Sequence, residues 1–175
     1  MLRFVLSPEI TEDLVDDLVA CWTEVTNTGG AVGFVAPVTA DDIRPTAEET
    51  FARCVPGGPD RLLVGFGDDG RAACWLVLAD SGSWLRAHWR WVFRVMVHPK
   101  HQGKGYGGEL MRAAADAGRR LGLEALHLTC RGGTGVDAFY AGLGYAEVGR
   151  IPQAIRVAPG DDRDEIYMVA ALNAA

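Results

Sequence analysis

Cysteine is scarce and poorly spaced in this 175-residue chain: Cys21, Cys54, Cys74 and Cys130 include no Cys-x-x-Cys pair. Each sits among apolar neighbours, where a thiol behaves as a small hydrophobe, so reduced, structural cysteines are expected. The four histidines, His88, His98, His101 and His127, lack the His-x-x-x-His spacing of a metal-binding helix, and no catalytic metal is expected. No apolar run approaches the roughly 18 residues of a membrane span. The first residues lack the charged start and long apolar core of a secretion signal, so the reading is cytoplasmic. Repeats, low-complexity tracts and signs of a second domain are missing too. With 49% hydrophobic and 23% charged residues, one domain over residues 1–175 with a full core is the expectation. The formal net charge of -6 repels nucleic acid and anionic membranes and favours a cationic acceptor, though a local basic patch can still hold a phosphate.

What the chain does have is a glycine-rich stretch in residues 90–121, where the apolar run RWVFRVMVHP opens onto HQGKGYGGEL and then a helix. Backbone N–H groups of such a turn face an anion readily, because glycine carries no side chain to block the approach. A phosphate-bearing ligand is the first hypothesis. Gly103, Gly105 and Gly108 also spell Gly-x-Gly-x-x-Gly, with Glu124 where a dinucleotide fingerprint wants an acid. That pattern belongs after a first strand, with its acid ending the second; here the loop lies past mid-chain and Glu124 precedes the next apolar run. An ordinary strand-to-helix turn with no ligand would need fewer glycines.

Around this stretch the elements follow in order. Residues 2–6 form a first strand ended by Ser7 and Pro8. Thr11 caps a helix with Leu14, Val15, Leu18, Val19 and Trp22 on one face. The glycine-rich segment 24–37 reads as a site-lining loop. A second helix over residues 41–55 is expected, with Thr46 and Glu49 as its capping box and Pro45 clouding its start. Acids at Glu24, Asp41, Asp42, Glu48 and Glu49 solvate the surface, or one or two hold an amine.

Residues 61–66 and 71–78 flank Gly67-Asp68-Asp69-Gly70, a hairpin signal. A tryptophan-rich strand ending at Val97 should be central. The helix after the glycine loop buries Leu110, Met111, Ala114, Ala117 and Leu121 and ends at Gly122; residues 125–130 then form a strand parallel to the one before the loop. A short helix covers 136–143, residues 152–164 read as a polar loop near the acceptor, and 166–172 as the last strand.

Gln102, Gly105 and Gly107 fit Gln/Arg-x-x-Gly-x-Gly/Ala after Val97-His98-Pro99, and Phe139-Tyr140-Ala141-Gly142-Leu143-Gly144-Tyr145 fits Phe-Tyr-x-x-Leu-Gly-Phe/Tyr. Both motifs, with the order of elements over essentially the whole chain, resemble the GCN5-related N-acetyltransferases. Within that family, residues 29–34 and 126–148 are similar to the tabtoxin resistance type, although Trp91 and Thr129 stand where that type carries acids. The resemblance implies an α/β fold with a central six- to seven-stranded mixed sheet and about four helices. It implies an enzyme that moves an acetyl group from acetyl-CoA, without a metal, to the primary amine of a small toxin, antibiotic or metabolite. A non-catalytic acyl-CoA-binding sensor or self-protection module is the alternative.

By the same resemblance, backbone groups of Val95, Met96 and Val97 meet the pantetheine arm where two strands splay. Gln102, Gly103, Lys104, Gly105, Tyr106, Gly107 and Gly108 take the pyrophosphate, with Arg112 a weaker candidate, and Phe139 packs on the thiol end. Tyr140 is the proton donor to the leaving thiolate, a backbone N–H near Met96 or Val97 meets the oxyanion, and the base is His127, Glu24 or a water chain. Glu24, Phe34, Trp91 and Thr129 are the candidate acceptor contacts. Arg94 and Arg131 serve an acceptor carboxylate or pair with surface acids, the second being favoured. The partner is a small-molecule amine, not nucleic acid or membrane, and the chain is a monomer or homodimer.

Overall fold

The computed structural model describes residues 2–172; residue 1 and residues 173–175, the ends of the expected domain, lie outside the described residues. Seven strands form one mixed sheet in the spatial order β1 (Arg3–Leu6), β2 (Arg61–Phe66), β3 (Ala72–Ala79), β4 (Trp89–Val97), β5 (Ala125–Arg131), β7 (Asp161–Ala171) and β6 (Ala146–Ala158). The four helices are α1 (Glu12–Asn27), α2 (Ala40–Ala52), α3 (Tyr106–Arg120) and α4 (Val136–Ala141).

Period-two alternation divides the core. On β3, Trp75 and Val77 pack with Leu18, Trp22, Ile43 and Phe51 of α1 and α2, whereas Cys74, Leu76 and Leu78 pack with Leu110, Met111 and Ala114 of α3. With helices on both faces, β3 is buried along its whole length and reads as a continuous apolar run.

Thr11 caps α1 by accepting from the Leu14 N–H at 3.3 Å. The capping box of α2 is Thr39 and Asp42, not Thr46 and Glu49, so the helix starts earlier than expected. Pro45 lies inside it, past the first turn, and its missing N–H leaves the Asp41 carbonyl without its usual helical partner. On α3 the buried stripe includes Gly118, packed against Leu172, while Leu121 is exposed at the helix end.

The segment expected as a polar loop, 152–164, is instead a β6–β7 hairpin: Ile155 pairs with Arg163, Arg156 with Asp162 and Ala158 with Asp161. Register shifts in it blur the alternation that would have announced strands, and its charged side chains pair with one another, as Arg156 does with Asp162 at 2.7 Å.

As expected, β4 is the middle strand of the seven. It pairs in parallel with β5 only through Trp89, Arg90 and Trp91, opposite Ala125, Leu126 and His127. Beyond Trp91 the two strands part. On its other side β4 carries a bulge against β3, where Arg94 takes φ 58°, a left-handed conformation rare for a side chain of that size. The open wedge between β4 and β5 organises the site.

Candidate active site

Two cavities meet in this wedge. One, about 550 Å³, lies on the α3 side and includes the glycine loop in its lining; the other, about 630 Å³, lies under the β6–β7 hairpin. Ala31, Val32, Val95, Thr129, Cys130, Arg131 and Tyr140 line both and form their junction.

The loop half is built from backbone. Gly105 caps α3 with φ 82°, a conformation glycine adopts without strain, and the first intrahelical bond runs from the Glu109 N–H to the Gly105 carbonyl at 3.1 Å. The N–H groups of Tyr106, Gly107 and Gly108 therefore have no partner within the helix and point out of its positive end. Gln102 folds back to donate from Nε2 to the Val97 carbonyl at 3.0 Å, which ties the loop to the end of β4. A Cβ on Gly107 would lie 3.3 Å from the ring of Phe139, so the absence of a side chain there lets α4 approach the loop. Arg112 reaches over the first turn, with Nη1 3.3 Å from where a Gly108 Cβ would stand. Lys104 is exposed on the loop and outside the lining.

Strand alternation decides which β4 groups face the wedge. The His98 N–H donates to Ala73 of the preceding segment at 2.9 Å, so Met96, two residues earlier and opposite Trp75, also turns its N–H and C=O toward β3. The peptide groups of Val95 and Val97 face the other way, into the gap that β5 has left. Of the three residues expected to meet a pantetheine arm, Met96 is thus placed differently: its side chain is buried against α1 and α2 and its backbone is used within the sheet.

At the junction stands Tyr140, with Phe139 edge-on at 5.2 Å and Tyr145 at 5.7 Å. Its exposure is only 7%. Burial first, and the nearby Cys130 thiol second, push the phenol well above its ordinary range, so it keeps its proton at every ordinary working pH. Burial likewise raises the Cys130 thiol to about 11, which makes it a poor nucleophile. The junction lining contains neither a carboxylate nor an imidazole.

The hairpin half draws on distant segments. Phe34 lines it, held edge-on to Trp22 at 5.7 Å, and the loop before it is pinned by two donors to one carbonyl: Trp22 Nε1 at 3.0 Å and Arg94 Nη1 at 2.8 Å, both to Val32. The Arg94 guanidinium also lies over the Trp22 ring, 4.4 Å from its centroid. Gly33, at φ 97°, leaves the room that guanidinium occupies. At the far end Asp60 holds Arg53 at 2.7 Å and accepts from the Asp80 N–H at 2.9 Å. Ile155, Arg156 and Val157 of the hairpin close the cavity.

Several expected site residues are not brought together. His127 lies at the closed end of the wedge, stacked on Trp89 at 3.9 Å, and lines neither half. Trp91 belongs to the same aromatic cluster, with Phe93 at 6.1 Å and Tyr167 at 6.4 Å, and it too lines neither half, although Phe93 beside it lines the hairpin half. Side-chain alternation explains this: from Trp89 to Trp91 and across to His127 one sheet face continues, below the point where the strands part. Glu24 pairs with His98 at 3.4 Å at the end of α1, outside both halves, and Asp42 is used in the α2 cap. Asp60 and Asp80 were not anticipated, and no local pattern marks them; residues 155–157 belong to the segment expected near the acceptor, but they reach the cavity as a strand hairpin and not as a loop. Arg94, expected to pair with a surface acid, has a carbonyl and an indole as partners.

Among the described residues there is no cluster of three or more His, Cys, Asp or Glu suited to a metal and no helix long and apolar enough to cross a membrane. All four cysteines are free and buried.

Known structures share this architecture. A provisionally assigned phosphinothricin N-acetyltransferase superposes with a TM-score of 0.81 at 20% identity, covering 98% of this chain and 100% of the other. A provisionally assigned Salmonella typhimurium acetyltransferase, yncA, solved with its cofactor acetyl-CoA, gives 0.75 at 17% identity over 100% and 96% of the two chains. Nourseothricin acetyltransferase is 27% identical over 66% of each chain, with a TM-score of 0.55. The sequence model of the acetyltransferase (GNAT) family matches residues 11–145, spanning the glycine loop and the Phe-Tyr helix together. By that match, and by the seven-stranded splayed sheet, the chain belongs to the acetyltransferase (GNAT) family.

Proposed function

We propose that the chain is a single-domain enzyme that acetylates the primary amine of a small molecule with acetyl-CoA, the acceptor being an amino-acid-like toxin, antibiotic or metabolite. The observation that carries this reading is the wall that the two cavity halves share at the β4–β5 wedge, with Tyr140 in the lining of both. The resemblance to the tabtoxin resistance type and the neighbours named for phosphinothricin and nourseothricin support the small-molecule part.

The loop half fits acetyl-CoA on three counts: unpartnered N–H groups at the start of α3, bare glycines that let a pyrophosphate approach, and the Val95 peptide groups and Val97 N–H turned toward an amide-bearing arm, the Val97 carbonyl being taken by Gln102. Bound there, acetyl-CoA supplies an activated acetyl thioester. The chain's own groups do the rest. The N–H of Val97 or Val95 donates to negative charge developing on the carbonyl oxygen, and Tyr140 Oη offers a proton to sulfur. Amine plus thioester gives amide plus thiol, the proton lost by nitrogen matching the one gained by sulfur. Thr129 and Phe34, which line the hairpin half, contact the acceptor in this reading, and Arg112, outside the loop-half lining but close over Gly108, screens the pyrophosphate from the side.

Free-thiol release from acetyl-CoA, measured over a panel of amino acids, dipeptides, polyamines and amine-bearing antibiotics, tests this. Release with one class, lost in Tyr140→Phe, is the expected outcome. Acetyl-CoA binding with no release by any amine would favour the sensor module instead.

A further inference from the structure

The charge of the cavity opposes the charge of the chain. Although the protein carries a formal net charge of -6, the hairpin half is lined by Arg53, Arg94, Arg131 and Arg156 against Asp60 and Asp80. Arg53 is held by Asp60 and Arg156 by Asp162, at 2.7 Å each, and Asp80 lies 3.7 Å from Arg90. Arg94 and Arg131 are left over. Arg94 is half-buried and, among the described residues, makes no ion pair; burial lowers its pKa, and Nη1 donates to the Val32 carbonyl at 2.8 Å. Two acids lie near Arg131, and each has another partner: Asp161 is held by Arg163, and Glu165, opposite Arg131 across the β5–β7 pairing, accepts from the Tyr167 hydroxyl at 3.1 Å. A cavity-lining guanidinium with no carboxylate paired to it keeps N–H groups open to a ligand that brings one, and a guanidinium–carboxylate contact is among the stronger hydrogen bonds.

We infer that the acceptor is an α-amino acid whose carboxylate is held by Arg94 and Arg131 while its α-amine points at the junction. This rests on the function proposed above. A second observation leads to the same place: no carboxylate or imidazole lines the junction, so the amine must arrive without its extra proton. A side-chain amine, near pKa 10.4, would need a base, whereas two guanidinium charges beside an α-amine disfavour its ammonium form and lower its pKa. The arginines thus select the anion and prepare the nucleophile together. The cationic acceptor that net charge favours is the wrong sign for this cavity.

The test compares each common L-amino acid with its own carboxamide and with the matching amine lacking the carboxyl, by thiol release from acetyl-CoA. For the amino acid that reacts, kcat/KM is expected to exceed that of its carboxamide by about tenfold or more, the size of a charge-assisted hydrogen bond. In Arg94→Gln that ratio falls toward one through the acceptor KM, the alkaline rise of kcat/KM moves to higher pH, and the KM for acetyl-CoA is unchanged. Arg131→Gln, which leaves the Trp22 and Val32 contacts intact, shows the same loss if Arg94→Gln fails to fold. Equal or better use of carboxamides or simple amines overturns the inference, as does a ratio that survives both substitutions. Silence with every amino acid, acetyl-CoA still binding, overturns it too. Failure to bind acetyl-CoA overturns the proposed function itself.

Discussion

The two halves of the cavity are built in opposite ways. In the loop half, residues 102–108 present consecutive peptide groups at one helix end, so the recognition unit is local and made of backbone. The hairpin half takes Phe34 from the α1–α2 loop, Arg94 from the β4 bulge, Arg131 from the end of β5 and Ile155 from the hairpin. A local backbone cradle can be kept while the rest of a chain diverges. A pocket assembled from distant side chains changes with any of its contributors, and so carries what is particular to this protein.

Substitutions can break that contrast. The largest effect should come from the junction that both halves share. Tyr140→Phe removes the phenol there and should lower kcat by about 100-fold or more, with acetyl-CoA binding little changed. In the unsubstituted protein, kcat should not fall as pH passes a phenol's ordinary value of about 10, because burial raises the Tyr140 pKa and keeps the acid form. A kcat that halves near that value would show a normal, exposed phenol.

Next comes the loop half alone. Gly105→Val places a β-branched residue at φ 82°, costing about 1–2 kcal/mol locally, and should raise the KM for acetyl-CoA about tenfold while sparing the acceptor KM. Gly33→Ala should do the reverse by several-fold, since its Cβ would strike the Arg94 guanidinium, and steady-state kinetics in both substrates separate the two. Equal shifts of both constants in either variant would mean that the halves are not independent.

The smallest effect concerns a residue outside both halves. His127→Phe keeps an aromatic ring against Trp89 and should leave kcat/KM within about twofold, whereas a general base would cost far more. Burial lowers the His127 pKa, so the fold favours the neutral ring. Stability from this residue is present above the unfolded value of about 6.5 and is lost as pH falls through the lower folded value. Thermal unfolding midpoints compared between about pH 7.5 and about pH 5 should therefore decline less in the variant.

What was legible follows from range. The glycine loop, the Phe-Tyr helix, the Gly67–Gly70 hairpin and the Thr11 cap are each written within a few adjacent residues, and each appears in the structure where the pattern put it. The α2 cap was misassigned because two Thr-to-acid pairs, Thr39 with Asp42 and Thr46 with Glu49, share one spacing, and local spacing does not rank them. His127 and Trp91 were misplaced for another reason: alternation says which face a side chain takes, but not how far along the strands the wedge opens. Glu24 was drawn off by His98, a partner 74 positions away in the sequence.

By itself the sequence determined the class of the protein: the family, the order of elements, and a phosphate-ready turn between the central strand and its helix. These depend on short-range backbone preferences and on periodicity. Only the tertiary structure decided that β4 and β5 part after Trp91, that Tyr140 stands where the two halves meet, and that Arg94 and Arg131 line the hairpin half with no ion pair among the described residues. Those facts depend on which distant side chains have already used one another up, a matter of three-dimensional pairing that a linear pattern does not record.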